Sequence, residues 1–116
     1  MSAIPANFIN YKSTPKFNKD NVPKMFLHRH NTREGVYGKI CVLQGTLKFY
    51  GFHSMKGNTE QEVIIKENEH VISPPQYWHK VEFLTDDCQF QVKFFADEAG
   101  SIAKKHLNER DNSSTK

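Results

Sequence analysis

Nothing in this chain is concentrated, and each shortage excludes something. Two cysteines, Cys41 and Cys88, are too few for a disulfide framework and are not spaced as a CxxC redox or zinc motif. Each lies in an apolar or strand-like run, so both read as small reduced residues in or near a core, which suits a cytoplasmic address. No stretch approaches the ~18 apolar residues needed to cross a bilayer, so no membrane contact is expected. The N-terminus, MSAIPANFINYK, has neither the basic start nor the apolar stretch of a secretory signal. Charge of one sign is scarce as well: 16 Lys+Arg against 13 Asp+Glu leave +3, dispersed along the chain. That is not a nucleic-acid footprint. Six scattered glycines without a GxGxxG leave no phosphate cradle, and no nucleotide cofactor is expected.

What the chain has is aromatic volume and short β-type runs. In 116 residues there are nine Phe, four Tyr and one Trp, enough for one modest core. From Lys24 onward, KMFLHRH (24–30), VYGKICVL (36–43), TLKFYGF (46–52), EVIIK (62–66), HVIS (70–73), HKVEFL (79–84) and CQFQVKFF (88–95) are rich in Val, Ile, Phe and Tyr. Turn residues separate them at roughly 8–12-residue spacing, the mark of an all-β sandwich or small barrel. Ahead of them, Pro15 and Pro23 punctuate an extended N-terminal arm that packs Phe8, Tyr11 and Phe17 onto the domain. Residues 97–106 predict a short helix with acids early and lysines late. The polar residues 108–116 predict a disordered tail, leaving one domain over 1–107.

Alternation places side chains. In 79–84, His79 shares a face with Val81 and Phe83; read as a strand, 24–30 puts Phe26, His28 and His30 on one face. Histidine thus takes core positions in two segments. A His-x-His pair on a strand sets two imidazoles about 6.7 Å apart at the backbone, close enough to share an ion at roughly 2.0–2.1 Å. His53, His70 and His106 have no partner at such spacing and read as surface residues.

The stretch from Glu67 to His79 resembles the second motif of the cupins, G-x5-P-x-G-x2-H-x3-N. Pro74 and His79 match at the right spacing; Asn68 stands at the first glycine, Gln76 at the second and Phe83 at the final Asn. Asn is the next best residue for a left-handed turn. The first motif, G-x5-HxH-x3,4-E-x6-G, is echoed by His28-Arg29-His30, Glu34 and Gly45. Counting back from Gly45 places the glutamate at Gly38, whereas counting on from the histidines places it at Glu34. Either the loop has grown or the carboxylate is lost. With Tyr11–Pro15, His30-Asn31-Thr32, Gly35–Lys39, Val42–Gly45, Trp78-His79 and Phe90–Phe94 added, the chain resembles the small cupin family related to tellurite resistance protein B. That family's members stand alone or are fused ahead of a methyltransferase.

The resemblance implies a double-stranded β-helix, the cupin jelly-roll barrel, with a pocket near His30 and His79. It implies a metal set of His28, His30 and His79, with Glu34 as a fourth ligand, for zinc, nickel or iron. Phe26, Tyr37, Phe49, Trp78 and Phe90 would line the pocket. The expected function is binding of a small ligand or oxyanion in a stress or tellurite-resistance setting. The alternative is a metal-dependent cupin enzyme acting on a small molecule, and a third reading leaves the histidines as core residues with backbone partners. Imidazoles protonated near pH 6.5 would favour anions. Methyl transfer is not expected, because no S-adenosylmethionine-binding domain is legible. A homodimer, paired through an edge strand or the N-terminal arm, completes the expectations.

Overall fold

A computed structural model describes residues 3–106. Eight strands follow in order: β1 Phe8–Ser13, β2 His30–Asn31, β3 Val36–Gln44, β4 Leu47–Phe52, β5 Thr59–Ile65, β6 His70–Ser73, β7 Trp78–Phe83 and β8 Gln89–Asp97. They form two four-stranded antiparallel sheets, ordered β1-β8-β3-β6 and β2-β7-β4-β5. The sequence pattern explains the pairing. In β3 and β8, Val36, Ile40, Val42, Phe90 and Val92 recur at every second position and are buried, while the residues between them are half-exposed. β4, β5 and β7 answer with Leu47, Phe49, Ile65 and Val81. The two inner faces close on each other, and each fully buried Phe or Leu stabilises the sandwich by roughly 1.5–3 kcal/mol.

Three segments depart from the sequence reading. Lys24–Leu27 is a 3-10 turn entered from Pro23 (φ −61°, ψ 137°), not a strand, and of the 24–30 run only His30 pairs, in β2 with Asn31. Proline pre-sets the dihedral at the turn's entrance, and the turn drives Phe26 inward against Phe17 and Phe90. The N-terminal arm is part of the framework. β1 is an edge strand on β8, and Phe17 makes a further bridge to Phe90. At the other end, 98–100 form a turn and the helix occupies 101–106. The Asp97 side chain accepts from the Ala99 N–H at 2.9 Å and its carbonyl from Gly100, which stops the strand. Ile102 and Ala103 pack on Tyr11, Val36 and Ala96. The tail expected over 108–116 lies outside the described residues.

Both cysteines are free; Cys88 is fully buried and Cys41 half-buried. Burial, and then the Asp87 charge, push the Cys88 thiol up to about 11, so it is inert at neutral pH. Gly45 in the β3–β4 turn has φ +70°, and a Cβ there would lie 2.8 Å from the Cys88 Cα. Only glycine satisfies both constraints.

Candidate functional site

β2 is short, but its register decides the site: His30 pairs directly with His79 of β7. Both rings point between the sheets, their centroids 4.2 Å apart and tilted by 59°. His79 is 5% exposed and stacks on Phe49 at 5.5 Å; Phe26 meets His30 edge-on at 5.3 Å.

The hydrogen bonds fix the tautomers. Nδ1 of His30 lies 2.9 Å from the His28 carbonyl oxygen, and Nδ1 of His79 lies 2.8 Å from that of Tyr77. A carbonyl only accepts, so each Nδ1 carries the proton and each Nε2 the lone pair. The His79 Nδ1 also lies 3.1 Å from the Ser73 hydroxyl, which is 2.9 Å from that of Thr32. This hydroxyl pair is buried, with Ser73 1% exposed. One atom is left over: Nε2 of His30 is buried without a hydrogen-bond partner. An unsatisfied buried acceptor costs roughly 1–3 kcal/mol and asks for a donor.

Electrostatics keep the pair neutral. Burial above all, and then the neighbouring His30, lower His79 to about 4, against a smaller upward pull from the Tyr77 carbonyl. His30 is also lowered by burial, offset in part by the carbonyls of His28 and Met25. This corrects the expectation that imidazolium near pH 6.5 would attract anions.

The pair borders a cavity of about 220 Å³ between the sheets. Phe26, Val36, Ile40, Val92 and Phe94 give it apolar walls, and Thr32 and Ser73 place their hydroxyls on it. Tyr11 reaches it because β1 carries a bulge. Asn10 pairs with Phe95 and Lys12 with Phe94, leaving Tyr11 unmatched and buried. Gly38 of β3, paired with Ser73, also lines it.

The expected site residues divide. His30 and His79 meet, but His28 is exposed and contributes its carbonyl, since the 3-10 turn removes the alternation that would have aligned its ring with His30. Glu34 lies exposed in the turn before β3, apart from the imidazoles. Gly38, the alternative glutamate position, does face the cavity and has no carboxylate to offer. Among the described residues, no group of three His, Cys, Asp or Glu is placed to share an ion. Of the aromatics, Phe26 lines the cavity, Phe49 backs His79, and Phe90 lies deeper with no exposure. Tyr37 packs edge-on against Phe8 at 5.3 Å on the outer side of its sheet. Trp78, adjacent to the inward His79, points to the opposite face by strand alternation. Sequence reasoning missed Thr32, Ser73 and Tyr11. The available signal for Thr32 and Ser73 was a small hydroxyl residue just after β2 and at the end of β6; nothing local marked Tyr11.

These features define a two-sheet β-protein with an internal, histidine-lined cavity. The chain belongs to the TehB-like domain family, which matches residues 12–92. It is 39% identical over 99 residues to the probable S-adenosyl-L-methionine-dependent methyltransferase TehB of Haemophilus influenzae, covering 84% of this chain and 34% of TehB. The chain thus spans about a third of that relative. It is 37% identical over 101 residues to the uncharacterized protein YeaR of Escherichia coli K12, covering 82% of this chain and 83% of YeaR. A crystal structure of a protein from E. coli K12 superposes with a TM-score of 0.78 at 35% identity, covering 83% of this chain and 97% of the other.

Proposed function

We propose that this chain is a cupin-type binding protein whose inter-sheet cavity takes a small ligand or oxyanion through His30 and His79. The observation that carries this reading is the orphaned Nε2 of His30, a buried lone pair beside a cavity and next to a second neutral imidazole. The strand orders β1-β8-β3-β6 and β2-β7-β4-β5 support a double-stranded β-helix, since an eight-stranded jelly roll divides its strands between two sheets in this way.

Among the described residues the two imidazoles supply part of a donor set for a divalent metal, one ligand short of the three protein ligands of an ordinary catalytic zinc site. Two imidazoles with Nδ1–H held by carbonyls present Nε2 in the form that ligates zinc, nickel or iron(II). His30 and His79 would hold the ion, which when bound supplies a Lewis acid for an oxyanion. An ion held by His30 and His79 alone would leave room for a substrate, which would support the second reading, a metal-dependent enzyme acting on a small molecule. Methyl transfer is not assigned to this chain. The described residues form two antiparallel sheets, without the glycine-rich strand-to-helix turn that such chemistry uses. A stress response, tellurite among its stimuli, is the setting we assign to the binding, in the cytoplasm and as a homodimer. Among the described residues no helix is long and apolar enough to cross a membrane.

The test is elemental analysis and native mass spectrometry of untagged protein purified without chelator, beside the His30→Ala and His79→Ala variants. A metal or small molecule present in wild type and lost in both variants is the expected result. A wild type that holds neither, even after reconstitution with zinc, nickel and iron(II), would overturn the reading.

A further inference from the structure

A second hollow adjoins the cavity. Tyr11, Lys12 and Arg33 line both, and the outer hollow, about 320 Å³, adds Ser101, Ile102, Lys105 and His106 from the short helix. Three cationic side chains, Lys12, Arg33 and Lys105, thus line the outer hollow, and the first two also line the cavity. Among the described residues no Asp or Glu lines either hollow. Among the described residues the ion pairs are Lys19 with Asp86, Lys48 with Glu62, and His53 with Glu60. Lys12, Arg33 and Lys105 take part in none. Cations left unpaired among the described residues around a concave surface focus a positive potential that concentrates anions. The guanidinium of Arg33 offers a planar fork that matches a carboxylate.

Beyond the outer hollow the chemistry changes. The walls turn apolar at Val36, Ile40, Val92 and Phe94, and the far end carries an acceptor without a donor, Nε2 of His30. An inorganic oxyanion satisfies the outer hollow alone. It has no apolar surface for the walls and, when fully deprotonated, no donor for the imidazole, and the inner cavity of about 220 Å³ is several times the ~30 Å³ share of one water. A molecule that answers all three regions has an anionic head, a short apolar body and a hydrogen-bond donor at the opposite end.

We infer that the ligand of this cavity is a small organic hydroxy acid, its carboxylate held at the outer hollow by Lys12, Arg33 and Lys105 and its hydroxyl donating to Nε2 of His30. This rests on the binding reading above and names the ligand class for the same site.

Calorimetric titration tests it with lactate, 3-hydroxybutyrate and 4-hydroxybenzoate, the methyl ester of each, and nitrate and tellurite. The proteins are wild type, Lys12→Gln/Arg33→Gln, His30→Ala and, as a remote control, Lys66→Gln. At least one hydroxy acid saturates at millimolar concentration or below, and its ester does not. The double variant, altered only at exposed positions, weakens that binding by about tenfold or more, while Lys66→Gln leaves it unchanged. Failure of every hydroxy acid to saturate overturns the inference, as does an ester that binds equally well. Nitrate or tellurite binding as tightly as the acids overturns the ligand class and leaves the cavity reading standing. So does a double variant that behaves as wild type while His30→Ala abolishes binding. If His30→Ala changes nothing for any ligand, both readings fall.

Discussion

His79 shows how a single residue couples stability to pH. Its folded pKa is about 4, below the ~6.5 of an unfolded imidazole, so between those values the unfolded chain binds the extra proton. The stabilisation is complete above the unfolded pKa and is lost as pH falls through about 4. Urea unfolding is expected to give wild type about 2 kcal/mol less stability at roughly pH 5 than at roughly pH 7. In His79→Phe most of that difference disappears, and an equal pH dependence in the variant would refute the assignment. The residue scale is also where the sequence was most partly legible. His79 was readable because alternation holds along a real strand. His28 was misaligned because alternation was applied across a 3-10 turn, where a side chain's direction follows a different period. Two incompatible counts offered Glu34 and Gly38 as the carboxylate position, and spacing alone had no means of choosing. Packing chooses Gly38 as the position facing the cavity.

Among the elements, the turns on either side of β6 join motif to geometry. Asn68 and Gln76, which stand where the cupin motif has glycines, both have positive φ, 68° and 60°. The first was foreseeable from asparagine's tolerance of the left-handed region. The second was not, since glutamine gives no such signal. Gln76 is held there by its N–H, which donates to the Thr32 carbonyl at 2.7 Å and ties the turn to the end of β2. Gln76→Gly should therefore raise the urea midpoint at unchanged slope, a gain of about 0.5–1 kcal/mol in unfolding free energy, because relief of the left-handed strain outweighs the added freedom of the unfolded chain. A lower midpoint would mean that the glutamine side chain itself supports the turn. Six of the seven strand-like runs were legible because each is long enough to alternate between core and solvent. β2 was not: two residues carry no period, and its position is set by its partner β7. β1 was read as an arm because its bulge breaks the alternation at Tyr11.

For the whole molecule, the all-β class followed from composition and spacing, whereas the sheet orders depend on pairings between distant strands that no local pattern records. Both sheets end in open strands: β1 and β6 in one, β2 and β5 in the other. β5 carries Glu60 and Glu62 with Ile64 left 56% exposed, an edge guarded by charge yet not wholly polar. Sedimentation velocity is expected to report a species of twice the chain mass, consistent with pairing along such an edge. A single species at the chain mass would remove the homodimer.

The bulge in β1 has a consequence for how this protein tolerates change in length. The lining of the cavity takes Tyr11 and Lys12 from one strand because that strand holds one residue more than its partner needs. Deleting a single residue upstream of Lys12 would let β1 pair without interruption and exchange which side chains face inward. An edge strand, ordinarily the most forgiving place for insertions and deletions, is here fixed in its count. Variation along this stretch can proceed by substitution, but a change in length would alter what lines the cavity from β1.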